Sequence, residues 1–310
     1  MDGAQPSPDD FPPGAEAPFW EGETDEPQLA TQPPESTVPE ELHPNADAAS
    51  GTAELDHKLF LWLFAGCGVA TLGIIPYSLS LLSQSKEDPF GGIPRSVALI
   101  ISAIVEVAIS AGVIAMGMAA GGRIPWGVPP LRALLSGGPE TARRVRASLV
   151  PALIVGIGLG MILALIDWGA DSDRAQGEQQ IFMPPAWEGL LASISAAIRE
   201  EIWFRLGCMT LFAGIGTRLV RPFLSDRVEP PVPIVWIANL FAALLFAAIH
   251  LPQAHFLLGL STQILVFVVL GNGLPGMIFG WLYWRRGLMA AIVAHFGFDL
   301  VLKVIIPLFS

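Results

Sequence analysis

Charge is scarce in this sequence. Asp, Glu, Lys and Arg make up 15% of its 310 residues against 52% hydrophobic ones, a balance that excludes an ordinary soluble domain and points to an integral membrane protein. Positive charge is missing altogether from the first 57 residues, which hold fourteen acidic residues and ten prolines. The net charge of −11 therefore resides in that segment, and the remainder carries 14 acidic against 17 basic residues. Such a split offers no basic surface for a polyanion, so a nucleic-acid partner is excluded. Without hydrophobic periodicity, residues 1–57 read as a disordered, acidic, Pro-rich tail; without a basic start and an apolar run, they are no secretory signal peptide. A partner-docking or autoinhibitory arm anchored by Phe19 and Trp20 is the other reading of this tail. Cysteine is nearly absent as well. Cys67 and Cys208 both lie in apolar runs and read as packing residues, not as a disulfide or a metal pair. There is also no Gly-x-Ser-x-Gly elbow, no His-Glu-x-x-His zinc helix and no internal repeat. Those absences count in turn against a serine hydrolase, a soluble-type zinc protease and an inverted-repeat transporter.

Long apolar runs are abundant. A helix needs about 20 apolar residues to cross the hydrocarbon core of a bilayer. Runs of that kind occur at about 59–82, 97–119, 148–169, 189–216, 232–250, 256–270, 274–284 and 287–308. They predict an all-α, polytopic membrane helix bundle over residues 58–310 with about eight transmembrane helices. Seven is the alternative count, because Gly271, Gly273, Pro275 and Gly276 interrupt the late pattern. Basic residues orient such a bundle. Five arginines (Arg123, Arg132, Arg143, Arg144 and Arg146) fall between 120 and 147, and Arg218, Arg221 and Arg227 fall between 217 and 231. Arg174 stands alone between 170 and 187, beside Asp171, Asp173 and Glu178. This distribution puts the Arg-rich loops and the N-terminal tail in the cytoplasm. Eight crossings then strand Arg285 and Arg286 on the outside, against the rule. The piece from Pro130 to Leu135 is amphipathic and reads either as an interfacial helix with Trp126 at headgroup level or as a basic loop.

Inside the apolar runs sit a few ionisable residues. A charge at the middle of a membrane helix costs roughly 2.5–3.5 kcal/mol on the insertion scale, so such residues normally face a bundle interior. The stretch "AIREEIWFRLG" holds Arg199, Glu200, Glu201 and Arg205; "LLFAAIHLP" holds His250; "AIVAHFGFDL" holds His295 and Asp299. Glu201 and Arg205 are spaced i, i+4 and can form a charge-assisted pair, as can Asp299 with Lys303. Glu200 is rotated about 100° from Glu201 on a helix, so both face inward only on a broad polar flank. Glu201 thus has a structural partner, whereas Glu200 has none and is free for chemistry. Phe246, one turn before His250, is positioned to wall a pocket. Glu106 is an isolated acid in the second run, and His255 reads as part of a short outside loop.

A carboxylate in a low-dielectric cavity suits general-base chemistry, and two histidines can polarise a carbonyl, donate to an oxyanion or bind a metal. Together these groups describe water attack on an acyl carbon, that is, peptide-bond hydrolysis within the membrane. Each also has a structural alternative: an interfacial histidine at His250, an interhelical clamp at Glu201–Arg205, and an Asp299–Lys303 pair.

At this point the residues resemble the CPBP intramembrane proteases, the family of CAAX prenyl proteases and bacteriocin-processing proteins. "EEIWFR" is similar to its Glu-Glu-x-x-x-Arg motif and "FAAIH" to its Phe-x-x-x-His motif. "WRRGLMAAIVAHFGFD" is similar to its last block, which ends in His-x-x-x-Asn or His-x-x-x-Asp. The resemblance covers about residues 190–300. It implies an eight-helix fold with a conical cavity open to the cytoplasmic side. It implies Glu200 as the general base, His250 as the group positioning the water, Glu201 and Arg205 as supports, and His295 and Asp299 as oxyanion stabilisers or completion of the polar cluster. Both a metal-free glutamate mechanism and a zinc mechanism are argued for this family. Glu200, His250 and His295 would supply the three ligands that one Zn²⁺ requires, so the cofactor stays open between none and zinc. An ionised Asp299 accepts hydrogen bonds and donates none, which favours ordering of water or metal over oxyanion stabilisation.

The expectation is therefore an intramembrane endopeptidase of a bacterial inner membrane. It acts at the cytoplasmic face on a membrane-associated peptide or protein, with CAAX-type prenylated substrates one branch of the family. Its partners are membrane lipid and that substrate. The competing reading is a non-catalytic membrane protein, either a transporter or a peptide-binding immunity factor, that uses the polar cluster as structure.

Overall fold

In the computed structural model, residues 46–84, 91–122, 124–171, 184–220, 229–259 and 261–309 are described, and all regular elements among them are helical. They are α1 (Ala46–Gly73), α2 (Ile75–Gln84), α3 (Arg95–Gly121), α4 (Val128–Leu135), α5 (Pro139–Asp171) and α6 (Ala186–Glu201). A π-helical segment (Ile202–Met209) carries α6 directly into α7 (Thr210–Val220), and α8 (Val232–Leu258), α9 (Thr262–Arg286) and α10 (Leu288–Leu300) follow. Proline starts several of these helices, since its fixed φ and missing N–H cost little there: Pro94 precedes α3, Pro185 precedes α6 and Pro231 precedes α8. Glycine ends two of them. Gly259 (φ 74°) terminates α8, and Gly287 (φ 91°) forms a one-residue hinge between α9 and α10, a backbone region that residues with a Cβ avoid.

Six stretches among the described residues are long and apolar enough to cross a membrane: Gly51–Ser83, Arg95–Gly121, Pro139–Ile166, Val232–Phe256, Thr262–Arg286 and Leu288–Leu308. The continuous helix from Ala186 to Val220 is equally long but carries the buried charges. The fold is thus the expected polytopic helix bundle, with one change of count. The runs at 256–270 and 274–284 are not two crossings: α9 passes through Gly271, Gly273, Pro275 and Gly276 without a break. Close packing explains these small residues. A Cβ on Gly276 would lie 3.2 Å from Phe246, and one on Gly280 would overlap the Asn239 amide, so α8 and α9 touch along bare backbone.

Two other boundaries differ from expectation. Helix α1 begins at Ala46, inside the segment read as tail up to residue 57, where alanines favour helix, Glu54 pairs with Lys58 at 2.7 Å and Asp56 accepts from Arg132. The rest of the tail reading, including Phe19 and Trp20, falls on residues 1–45, outside the described residues, as do the residues Arg123, Asp173, Arg174, Glu178, Arg221 and Arg227 used for orientation. His255 lies not in a loop but in the last turns of α8, exposed. The amphipathic piece is a true helix, α4, with Arg132 Nη2 donating to Asp56 at 2.7 Å and Trp126 edge-on to Tyr283 at 5.4 Å.

Contacts along the helices show how the crossings run. Helices α6 and α10 are antiparallel, with Glu201 at His295 and Gly189 at the Lys303 backbone. Helices α5 and α10 are parallel, with Gly156 at Ala294 and Gly160 at Phe298 and Val301. The pair α8 and α9 is antiparallel, and α3 runs parallel to the π segment, with Gly117 at Leu206 and Gly121 at Thr210. Seven helical segments therefore alternate in direction. One end of the bundle gathers the start of α1, α4, and the α7–α8 and α9–α10 junctions; the other gathers the starts of α3, α6 and α9 and the end of α5.

Candidate active site

The helix "AIREEIWFRLG" turns its charges inward. Arg199, Glu200, Glu201 and Arg205 are all buried, the last two completely. Directly after Glu201 the helix widens into its π segment, a distortion that often marks functional positions. Glu201 is held from two sides. Its Oε2 lies 3.0 Å from Arg205 Nε, an ion pair by distance, and its Oε1 accepts from His295 Nδ1 at 2.9 Å. Arg205 also donates to the Gly276 carbonyl at 3.0 Å and lies over the Phe246 ring at 5.3 Å. One buried pair thereby ties α6, α8, α9 and α10 together. Breaking such a pair strands a charge in a dry interior, which costs about 3–5 kcal/mol.

Glu200 is bound differently. Its Oε1 accepts a longer bond from Arg199 Nη2 at 3.3 Å, so this carboxylate is not without a neighbour, as the sequence had suggested. Its Oε2 is buried with no hydrogen-bond partner, 3.9 Å from His250 Nε2 and 3.9 Å from His295 Nε2. Both imidazoles are anchored through the opposite nitrogen: His250 Nδ1 is 2.7 Å from the Phe246 carbonyl, and His295 Nδ1 is on Glu201. With Nδ1–H donating in each ring, the two Nε2 atoms face the free Glu200 oxygen. His295 is further fixed by stacking on Phe279 at 5.0 Å and by the edge of Phe246 at 5.6 Å. Phe246 walls the site and stands 4.9 Å from His250.

Asp299 lies 3.8 Å from His295 Nε2, but its Oδ2 is taken by Lys303 Nζ at 2.5 Å, the structural alternative foreseen from their spacing. A cavity of about 200 Å³ lies beside these groups, its wall mainly apolar but carrying His250, His295, Asp299, Lys303 and Asn272. Against it runs an apolar groove of about 620 Å³ between α5 and α9, and the two share Leu163, Phe267 and Gly271. Of the predicted set, His250, His295 and Asp299 line this space, and Glu200 stands behind the two imidazoles, 3.9 Å from each.

Sequence reasoning missed two participants. Glu106 was isolated in the second run, yet its Oε2 accepts from Arg199 Nη1 at 2.7 Å, and Thr71 donates to it at 3.4 Å. Arg199 is stacked over Trp203 at 5.7 Å, and the Trp203 indole donates to Ser110 at 2.9 Å. A contact spanning 93 residues leaves no local trace. Asn272 did leave one, an amide alone in "VVLGNGLPG".

The donor chemistry of Glu200, His250 and His295 suits a metal, with anchored imidazoles behind the free nitrogens. Their spacing does not. Ligands about 2.0–2.1 Å from a tetrahedral zinc lie roughly 3.3 Å apart, and the gaps here are 3.9 Å. No group of three or more His, Cys, Asp or Glu among the described residues is arranged to hold a metal ion. A 3.9 Å gap is too long for a direct hydrogen bond and short enough for one water to touch both sides. Cys67 and Cys208 are free thiols.

A family model described as type II CAAX prenyl endopeptidase Rce1-like matches residues 182–301. No curated protein and no solved structure matches the chain. The matched segment runs from just before α6 to the first residue after α10 and contains every residue of the cavity cluster except Leu163, Leu302 and Lys303.

Proposed function

We propose, from the premise that residues 182–301 belong to the type II CAAX prenyl endopeptidase Rce1-like family, that this chain is an intramembrane endopeptidase in which Glu200 activates the attacking water. The observation that carries this reading is the buried, unpartnered Glu200 Oε2, equidistant at 3.9 Å from two imidazole nitrogens. A buried carboxylate oxygen without a donor is costly, and a water bound there satisfies it while lying against a base.

The steps follow from these positions. Glu200 takes one proton from the water as the oxygen bonds to the scissile carbonyl carbon. His250, fixed by the Phe246 carbonyl, orients that water through Nε2. The tetrahedral intermediate then collapses with cleavage of the C–N bond, and Glu200 returns its proton to the leaving amine. Glu201 and Arg205 keep His295 and the helix register fixed, and Lys303 holds the Asp299 carboxylate at the cavity wall. The apolar groove beside the cavity suits a lipid-soluble flank of the substrate, either a hydrophobic peptide segment or a prenyl chain. A transporter is expected to show a pair of broken helices in corresponding halves; the single interruption the sequence offered, near 271–276, is a continuous stretch of α9.

The test is a comparison of membrane and secreted peptides by mass spectrometry from cells carrying wild type, Glu200→Gln or His250→Ala. Cleavage products present only with wild type are the expected result. Unchanged products in the Glu200→Gln strain would sink the mechanism and leave a binding protein.

A further inference from the structure

The set around Glu200 is rich in acceptors and poor in donors. His295 Nδ1 faces the Glu201 carboxylate at 2.9 Å and His250 Nδ1 faces the Phe246 carbonyl at 2.7 Å, and either contact requires the proton on Nδ1. A neutral imidazole carries one N–H, so both Nε2 atoms present lone pairs. Ionised Glu200 and Asp299 accept hydrogen bonds and donate none. Asn272 gives an amide hydrogen to the Val268 carbonyl at 2.9 Å. Water attack on a carbonyl places negative charge on its oxygen, and aiming donors at that charge is usually the largest electrostatic contribution to acyl transfer. The residues foreseen from the sequence do not supply such a donor.

Lys303 has what is missing. Among the described residues that line the small cavity it is the one cation. Of its three N–H groups one goes to Asp299 Oδ2 at 2.5 Å, and its side chain stays 26% exposed, against 5% for Asp299 and 3% for His295. The same Asp299 oxygen lies 3.8 Å from His295 Nε2, so one carboxylate oxygen links the ammonium to an imidazole that faces Glu200. The backbone holds Lys303 in place. After Leu300 the helix widens into a second π-helical segment (Val301–Ile305) that carries Lys303, just as the first follows Glu201. Bare glycines clamp this turn from two helices: a Cβ on Gly189 of α6 would overlap the Lys303 carbonyl, and one on Gly160 of α5 would lie 2.8 Å from Val301 Cβ. Stability does not account for the ammonium, because an apolar pair of similar volume would pack a membrane interior as well as Asp299 with Lys303. Lys303 also lies two residues beyond the segment matched to the family, so that comparison does not supply it.

We infer that Lys303 is a catalytic residue whose ammonium donates to the scissile carbonyl oxygen as water adds to the carbon, with Asp299 aiming it. The inference rests on the endopeptidase reading for the reaction. Glu200 takes a proton from water, the water oxygen bonds to the carbonyl carbon, and the carbonyl electron pair moves onto its oxygen against the ammonium. Lys303 gives up no proton; when the C–N bond breaks, the pair returns to the carbonyl and Glu200 protonates the leaving amine. A double-mutant cycle tests this, with wild-type-dependent cleavage products quantified by mass spectrometry and folding read by melting in detergent. Lys303→Met should lower the product roughly 10²–10³-fold. Asp299→Leu keeps the ammonium and should lower it less. Adding Lys303→Met to Asp299→Leu should again cost roughly 10²–10³-fold, although no buried acid is then left unpaired. If Lys303 serves only to neutralise Asp299, this second loss vanishes. That result, or wild-type cleavage by Lys303→Met, or an Asp299→Leu variant as silent as Glu200→Gln, overturns the inference. The double variant strands no charge, so it reports even where Lys303→Met alone fails to fold. Identical products from wild type and Glu200→Gln overturn the endopeptidase reading itself, a failure visible before Lys303 is changed.

Discussion

The first three apolar crossings and the last three differ in how much protein surrounds them. In Gly51–Ser83, Arg95–Gly121 and Pro139–Ile166 only 17–22% of the most apolar stretch is buried within the protein, against 33–44% in Val232–Phe256, Thr262–Arg286 and Leu288–Leu308. The early helices form a sheath whose outward side chains, such as Trp62, Val69, Ile104 and Ile154, are exposed apolar groups suited to lipid. The late helices and α6 form the inner bundle and hold His250, His295 and Asp299 around Glu200. Burial there comes with charge, and charge in a membrane interior persists only when paired. Yet the sheath is not inert: Glu106 of α3 reaches inward to grip Arg199, which in turn touches Glu200.

Substitutions can break or sharpen that division. The largest effect belongs to the inner bundle. Glu200→Gln keeps shape and hydrogen-bonding reach but removes the base, so cleavage falls by about 10²–10⁴-fold with an unchanged melting transition in detergent. Next comes Arg205→Ala, which removes the cation beside the buried Glu201 and leaves it only the His295 bond; we expect a loss of about 3–5 kcal/mol, read as a lower denaturation midpoint. Glu106→Gln crosses the boundary between the two regions. It weakens one charged hydrogen bond worth about 1.5–3 kcal/mol, lets Arg199 move, and should slow cleavage roughly ten- to a hundredfold. If Glu106→Gln leaves the rate unchanged, the sheath takes no part in the site. Gly117→Ala probes packing alone, because the added methyl collides with the Leu206 carbonyl, and it should cost about 1–3 kcal/mol. Smallest is Ile104→Val on the lipid-facing side, where a change within about 0.5 kcal/mol is expected.

The membrane class and the polar cluster were legible early because both rest on local chemistry. Apolar runs of membrane-spanning length follow directly from helical rise, and Glu201–Arg205 and Asp299–Lys303 meet because residues four apart share a helix face. Where local pattern was ambiguous, the reading strayed. Gly271, Gly273, Pro275 and Gly276 look like a break, but their small size serves the approach of α8, a fact that only the neighbouring helix reveals. The segment from Ala46 to His57 looked like tail because acidic composition was averaged over it, although its alanines and the Glu54–Lys58 pair favour helix.

By itself, then, the sequence determined that this is a membrane-embedded helix bundle with an ionisable set that resembles a protease site. Helix periodicity and hydrophobic length are properties of the backbone and the bilayer, the same wherever the segment lies. The tertiary structure supplied the partners that the i, i+4 spacing of Glu201 and Arg205 could not show. Glu201 is claimed by Arg205 from its own helix and by His295 from 94 residues away, whereas Glu200 is held by Arg199 through one oxygen and keeps the other without a hydrogen-bond partner. It also decided that Glu106 supports Arg199 and that the small cavity is continuous with an apolar groove between α5 and α9. These depend on the register in which separate helices pack, and register is set by the close fit of whole surfaces, to which no single turn of sequence is sensitive.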